Sequence, residues 1–285
     1  MSYKRVSQNL QSGPAPLVSI VLPFYNTESY LPLCLDSALK QSFQDFEILA
    51  IDDGSTDGSL DIVLDYARRD ARIHVFKNLK NSGVSLTANV GIENARGQYI
   101  ARLDSDDMYE PDKLAIQLAF FKENPDHILV GGAVRIIDTI KKIERIKYSP
   151  STHDDILEKI FTFIPCQHSA IMINRELVPK DFTWYDPATR IAEDLDLIFR
   201  IAPFGRMCNL PDVLCVIFER PESLSHLDVK NSFRQILNIR SRAVKEYGYR
   251  VGFKSRLTML GQRLIVTFTP AAHLFTVFHL IRKYI

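Results

Sequence analysis

Three carboxylates crowd into the stretch ARLDSDDMYEPDKL: Asp104, Asp106 and Asp107. Like charges that close repel, so either the stretch is a solvated turn or a cation neutralises it. The apolar run before it resembles a buried strand. An Asp-x-Asp at a strand end presents two oxygen ligands, and magnesium takes one or two carboxylates together with the phosphates of its substrate. A second pair, Asp52 and Asp53, ends another apolar run and opens DDGSTDGS. That pair is placed to accept hydrogen bonds from a base or a ribose, although Asp-Gly and Ser-Thr are also ordinary turn chemistry. A third pair, Glu193 and Asp194, opens the helical pattern EDLDLIFRI. There acidic residues suit the positive end of a helix dipole.

Spacing removes several rival motifs. A calcium loop starting at Asp53 reaches Leu64 at its twelfth position, where a bidentate Glu is required. One starting at Asp104 lacks the sixth-position glycine and ends on Ala115. An aspartyl-phosphate phosphatase wants Thr or Val where Met108 stands. Neither a GxxxxGK[ST] loop nor a GxGxxG fingerprint occurs, so phosphates would be held through a metal rather than by a glycine cradle.

The elements that must position these groups follow from periodicity. LVSIVL, FEILAID, RIHVFKN and QYIARLD read as strands, each followed by a helical pattern. Gly97 is expected to stop the third helix and Pro111 to begin the fourth. Four strand–helix alternations predict a parallel sheet covered on both faces. Three polar loops, 23–28, 52–57 and 104–107, then share the rim at the carboxyl ends of the strands, where open α/β sheets bind ligands. Beyond residue 127 the strands HILVGGAVRIID, KKIERIKYS, HSAIMIN and CNLPDVLCVIFER predict mixed directions, and 228–249 an amphipathic helix.

The 285 residues carry a net charge of +1 and show no basic stripe with interleaved aromatics, so nucleic acid is not an expected partner. Cys34, Cys166, Cys208 and Cys215 form no CxxC pair, which argues against zinc and fits a reducing compartment. Residues 1–16, with Gly13, Pro14 and Pro16, read as a flexible lead-in without a signal-peptide pattern.

Three segments together resemble a family 2 glycosyltransferase of the GT-A fold: SIVLPFYNTESYLPLCLDSALKQSFQDFEILAIDDGSTDGS, NSGVSLTANVGIENARGQYIARLDSDD and AEDLDLIFRI. The resemblance covers about residues 17–225. It implies an α/β fold with a Rossmann-like mixed sheet flanked by helices, a nucleotide-sugar half (17–110), an acceptor half (111–225) and a C-terminal helical extension (226–285). It also implies transfer of a sugar, with inversion, from a nucleotide-diphosphate donor, in the first instance a UDP-sugar, using Mn²⁺ or Mg²⁺. By the same resemblance Pro23 and Tyr25 lie beside the nucleobase and Asn26 and Glu28 belong to the donor loop. Asp53 accepts from the base and Asp52 shapes that pocket. Asn89 lies on the helix facing the donor, and Asp104 and Ser105 on its ribose side. Asp104 and Asp106 are the metal side, with His226 in ERPESLSH as a further ligand. Asp107 is expected to cap the following helix. Asp194 matches the base, with Glu193 beside it. Where many relatives carry Arg before the helix asparagine this chain has Ala88, so Arg102 or Arg190 would have to supply that cation. His168 reads as a core histidine or an acceptor contact, and Trp184 as core or a sugar platform.

Residues 264–281, LIVTFTPAAHLFTVFHLI, hold no acidic residue, lysine or arginine. At eighteen residues they meet the lower limit for a membrane span, but broken by Pro270 they read first as a segment docked on the domain or lying in a membrane surface, with Lys254, Arg256 and Arg263 upstream. The expected partners are a nucleotide-sugar donor, a glycan or polyprenyl-linked saccharide acceptor and a membrane surface, and the expected place is the cytoplasmic face of the membrane. The alternative is an inactive nucleotide-sugar-binding partner of another transferase.

Overall fold

The computed structural model describes residues 3–6, 13–139, 141–220, 228–270 and 273–274. The first half is the predicted alternation. Strands β2 (Val18–Phe24) and β3 (Phe46–Asp52) are buried along their whole length. That explains their unbroken apolar sequence, since parallel strands are covered on both faces. With β4 (Ile73–Asn78) and β5 (Tyr99–Arg102) they run parallel in the order β4-β3-β2-β5. Helices α1 (Leu31–Leu39), α2 (Ser59–Arg69) and α3 (Val84–Asn94) connect them. All four strands therefore deliver their carboxyl ends, and the loops that follow, to one rim.

The second half continues the same sheet in mixed directions, as the sequence predicts. Strand β9 (Met172–Asn174) pairs antiparallel with both β5 and β7 (His127–Asp138). Strand β8 (Ile143–Lys147) pairs antiparallel with β7, and β10 (Arg206–Glu219) lies parallel to it. A short β6 (Met108–Tyr109) pairs with β10 at Val216 and Cys215. The order is thus β1-β4-β3-β2-β5-β9-β7-β10-β6. Four strand spacings, about 19 Å, would separate β5 from β6 in a flat sheet, too far for the tight turn 103–107 that joins them. Irregularities in β10 between Leu210 and Cys215 bend its second half back towards that turn. The end of β10 is thereby delivered to the acidic cluster. Helices α4 (Lys113–Glu123), α5 (His153–Lys159), α6 (Glu193–Ile201), α7 (Val229–Lys245) and α8 (Phe253–Phe268) complete the fold.

Several expectations need correcting. Tyr3–Arg5 form β1, antiparallel to β4, so that part of the lead-in is an edge strand. Gly97 does not stop α3, whose C-cap Ala95 is already extended. Gly97 instead allows a close approach: a Cβ there would sit 2.6 Å from the Ser19 backbone nitrogen of β2. Pro111 precedes the first helical residue, Lys113, by two positions rather than occupying it. Residues 264–268 are the last turn of α8, not a separate segment; Thr269, before Pro270, is extended, as a residue preceding proline favours. Of the remainder of 264–281, residues 271–272 and 275–281 lie outside the described residues. Among the described residues no helix is long and apolar enough to cross a membrane.

Candidate active site

Three loops meet at the rim, held together by their own side chains. Asn26, left-handed at φ 51°, accepts from Thr56 N at 2.8 Å and donates its backbone N–H to Ser55 Oγ. Glu28 accepts from Gly58 N at 2.7 Å, satisfying an otherwise free donor at the start of α2. These two residues lock loop 23–28 to loop 52–57. Pro23 is buried within β2, whereas Tyr25 is 45% exposed, free to present its ring. Asp52, fully buried, accepts from Ser55 N at 2.8 Å, and the Lys77 ammonium lies 3.4 Å from its other oxygen. Asp53 accepts from Asn78 Nδ2, Ser82 N and Gly83 N at 2.8–2.9 Å. Its carboxylate therefore shapes the 78–83 turn, where Gly83 has the positive φ of 88° that glycine adopts without strain.

The acidic turn is wired into the second half of the chain. Asp104 N donates to Ser169 Oγ at 3.1 Å, and the Ser169 hydroxyl donates to Asp107 at 2.5 Å. Asp107 does not cap α4. It is buried against Ser169, and burial, with the charges of Asp106 and Asp104, pushes its carboxyl well above the ordinary carboxylate range. Arg102, 2% exposed, pairs with Asp104 at 2.8 Å. Burial opposes ionisation of Asp104, but Arg102, helped by Ser169, outweighs it and holds that carboxyl below its usual value. Asp106 pairs at 2.6 Å with Arg220, directly after β10, and that guanidinium stacks 3.6 Å over the Tyr30 ring. Burial and then Asp104 still raise the Asp106 carboxyl. Ser105 is buried between the two aspartates.

The sequence left open whether both halves converge; they do. Glu193 and Asp194 start α6 after Ala192, which is left-handed at φ 58°. His168, in the turn before β9, places Nδ1 3.7 Å from Glu193 and bonds Tyr185 Oη through Nε2 at 2.8 Å. Burial and then Arg102 lower His168 to about 3, so the ring is neutral and the Glu193 approach is a polar contact rather than an ion pair. Burial, then Asp194, raises Glu193 to about 8. Burial also raises Asp194, to about 6, with Asp104 adding to it and the Leu195 N–H opposing. Two neighbouring carboxyls are thus driven apart, one protonated and one ionised near neutral pH, the pattern that separates acid and base roles.

Asn89 works through the loop before α6. Its Nδ2 donates to Tyr185 O at 2.8 Å and its Oδ1 accepts from Tyr185 N at 2.9 Å. The backbone N–H and C=O of one residue engage both ends of the amide, so α3 fixes Tyr185 and, through it, His168. Asn89→Ala would leave that N–H and C=O without these partners, at a cost of about 2 kcal/mol or more. A thermal melt should show the loss, while Asn89→Asp should keep the bond from Tyr185 N. Trp184 is half-buried against the core, with its ring edge-to-face on Phe182. Arg102 is committed to Asp104 and main-chain carbonyls, Arg190 is exposed, and Ala88 is fully buried. Sequence reasoning missed Arg220, Ser169 and Tyr185. The only signal for Arg220 was a lone cation directly after an apolar strand.

The rim offers two hard oxygen donors rather than a complete metal site. The rim holds more carboxylates than Arg102 and Arg220 balance, and an incoming diphosphate adds further negative charge. Among the described residues no group of three His, Cys, Asp or Glu side chains could hold a metal ion. Asp104 and Asp106 would supply two hard oxygen ligands and the diphosphate the others. His226 lies outside the described residues.

Comparison with known proteins decides the family. The model for glycosyl transferase family 2 matches residues 19–182. The chain belongs to glycosyltransferase family 2. This transferase is 37% identical over 163 residues to the putative teichuronic acid biosynthesis glycosyltransferase TuaG of Bacillus subtilis, a match covering 56% of the chain and 63% of TuaG. Its fold is similar to that of Staphylococcus aureus TarS 1–349 in complex with UDP-GlcNAc (TM-score 0.66, 20% identity, 88% of this chain and 72% of that one). It is also similar to the mannosyltransferase PcManGT of Pyrobaculum calidifontis in complex with GDP-Man and Mn²⁺ (TM-score 0.63, 16% identity, 92% and 75%). The GT-A architecture expected from the sequence is therefore the observed one.

Proposed function

We propose that this transferase moves a sugar, with inversion at the anomeric carbon, from a UDP-sugar to a glycan or polyprenyl-linked acceptor in surface polysaccharide assembly at the cytoplasmic face of the membrane. The observation that carries the reading is that Asp104 N bonds Ser169 at 3.1 Å while the adjacent His168 lies 3.7 Å from Glu193, which brings the acidic turn together with the Glu193–Asp194 pair. The UDP-GlcNAc complex of TarS supports the donor class, and the name of TuaG supports the polysaccharide setting.

The geometry is consistent with the following roles. Tyr25 stacks on the base, and Asp52 and Asp53 frame the base pocket with Pro23. Asn26 and Glu28 hold that pocket's two loops together. Asp104 and Asp106, beside Ser105, would hold Mn²⁺ or Mg²⁺, as the Mn²⁺ complex of the structurally similar PcManGT supports. Such an ion would supply countercharge for the leaving diphosphate. Asp194, ionised near neutral pH, takes the acceptor hydroxyl proton, while Glu193 stays protonated beside it. Arg220 and Arg102 hold the two metal-side carboxylates in place.

Inversion has a direct test. The protein is incubated with UDP-sugars and a lipid-linked saccharide extract, and the product's anomeric proton coupling is read by NMR. An α-linked donor should yield a β-linked product. An α-linked product would remove Asp194 from the role of base.

A further inference from the structure

Helix α8 turns an apolar face to solvent. Phe253, Leu257, Leu260, Leu264 and Phe268 recur every three or four residues, so they form one stripe along the helix. They are 77%, 52%, 55%, 51% and 79% exposed. The opposite face is anchored: Gln262 accepts from Arg240 at 2.8 Å and donates to Thr162 O at 3.0 Å, and Val266 is buried. Exposed Lys254 borders the stripe on one side and exposed Arg256 and Arg263 on the other. The helix contains no acidic residue.

We propose that this face of α8 docks on an anionic lipid bilayer, with the stripe in the headgroup–acyl boundary and the bordering cations against lipid phosphates. Charge identifies the occupant. A stripe edged on both sides by cations, with no carboxylate, matches a helix lying in a membrane interface. A second copy in an isologous contact would set the same cations against one another. The docking element is thus α8, which begins eleven residues before the uncharged run 264–281 and shares residues 264–268 with it. Helix α7, which carries α8, is fixed to α6 by Arg242 on Asp196, and to the loop before α6 by Arg242 on Asp186 at 2.7 Å. The surface therefore sets the position of Glu193 and Asp194 relative to a membrane-held acceptor. The docking itself does not depend on the sugar chemistry.

The test is sedimentation of the full chain with vesicles of phosphatidylcholine, with and without phosphatidylglycerol, at low and high salt. Binding should require phosphatidylglycerol and weaken with salt. L257E/L264E and K254E/R256E should each bind about tenfold more weakly or worse, with melting temperatures unchanged because these side chains face solvent. Binding indifferent to phosphatidylglycerol, or a stripe variant that binds like the parent, would overturn the proposal. So would a dimer in solution that L257E/L264E converts to monomer, which would make the stripe a contact between copies.

Discussion

Asp194→Asn should lower nucleoside-diphosphate release by about 10²–10⁴-fold, the range lost with a general base, while donor affinity stays near that of the parent. The amide keeps the shape and can still accept from the Leu195 N–H, which Asp194 accepts at 2.7 Å, but it cannot take a proton. The pH profile gives an independent signature. A base is useful only when ionised, so with Asp194 at about 6 the kcat/KM should climb with pH below that value and level off above it. The residual activity of Asp194→Asn should lack this acid limb. Glu193→Gln separates the two carboxyls. Glu193, at about 8, is mostly protonated at neutral pH, so its amide mimics the working state and the loss should be far smaller. A larger loss from Glu193→Gln than from Asp194→Asn would reverse the assignment.

Asp106→Asn should weaken metal-dependent donor binding by about tenfold or more, since one of two anionic ligands becomes neutral. The variant also removes the charge facing Arg220, which is 7% exposed and relies on Asp106 and the Tyr30 ring for compensation. Some loss of stability is therefore expected, because a buried charge that loses its partner is costly. The double variant Asp106→Asn/Arg220→Gln distinguishes the two effects. It should recover the melting temperature but not the metal-dependent binding. Recovery of both would make the Asp106–Arg220 pair structural and take Asp106 out of the metal site.

The first half of the fold was legible because its signals are local. Strands β2 and β3, covered on both faces, read as unbroken apolar runs, and the polar loops that follow them mark the rim. Signals that depend on distant partners were not legible. Arg220 meets Asp106 across 114 residues and Asn89 meets Tyr185 across 96. Asp107 looked like a helix cap because its partner, Ser169, lies 62 residues away. Gly97 fitted the pattern of a helix stop, yet the reason for it is the backbone of β2, 78 residues earlier. The uncharged run was legible from Leu264 because no charge interrupts it, but the helix that holds its first turn starts at Phe253 and carries Lys254, Arg256 and Arg263 beside the exposed stripe.

Calorimetric titration of the protein with UDP-, GDP- and dTDP-sugars, with and without Mn²⁺, tests the central claim most directly. Saturable binding of a UDP-sugar that strengthens with Mn²⁺, and that Asp106→Asn weakens, is the predicted result. Absence of binding by every donor, or binding indifferent to both the metal and Asp106, would mean that the carboxylates of 104–107 form a structural cluster and that the sugar-transfer reading of this site is wrong.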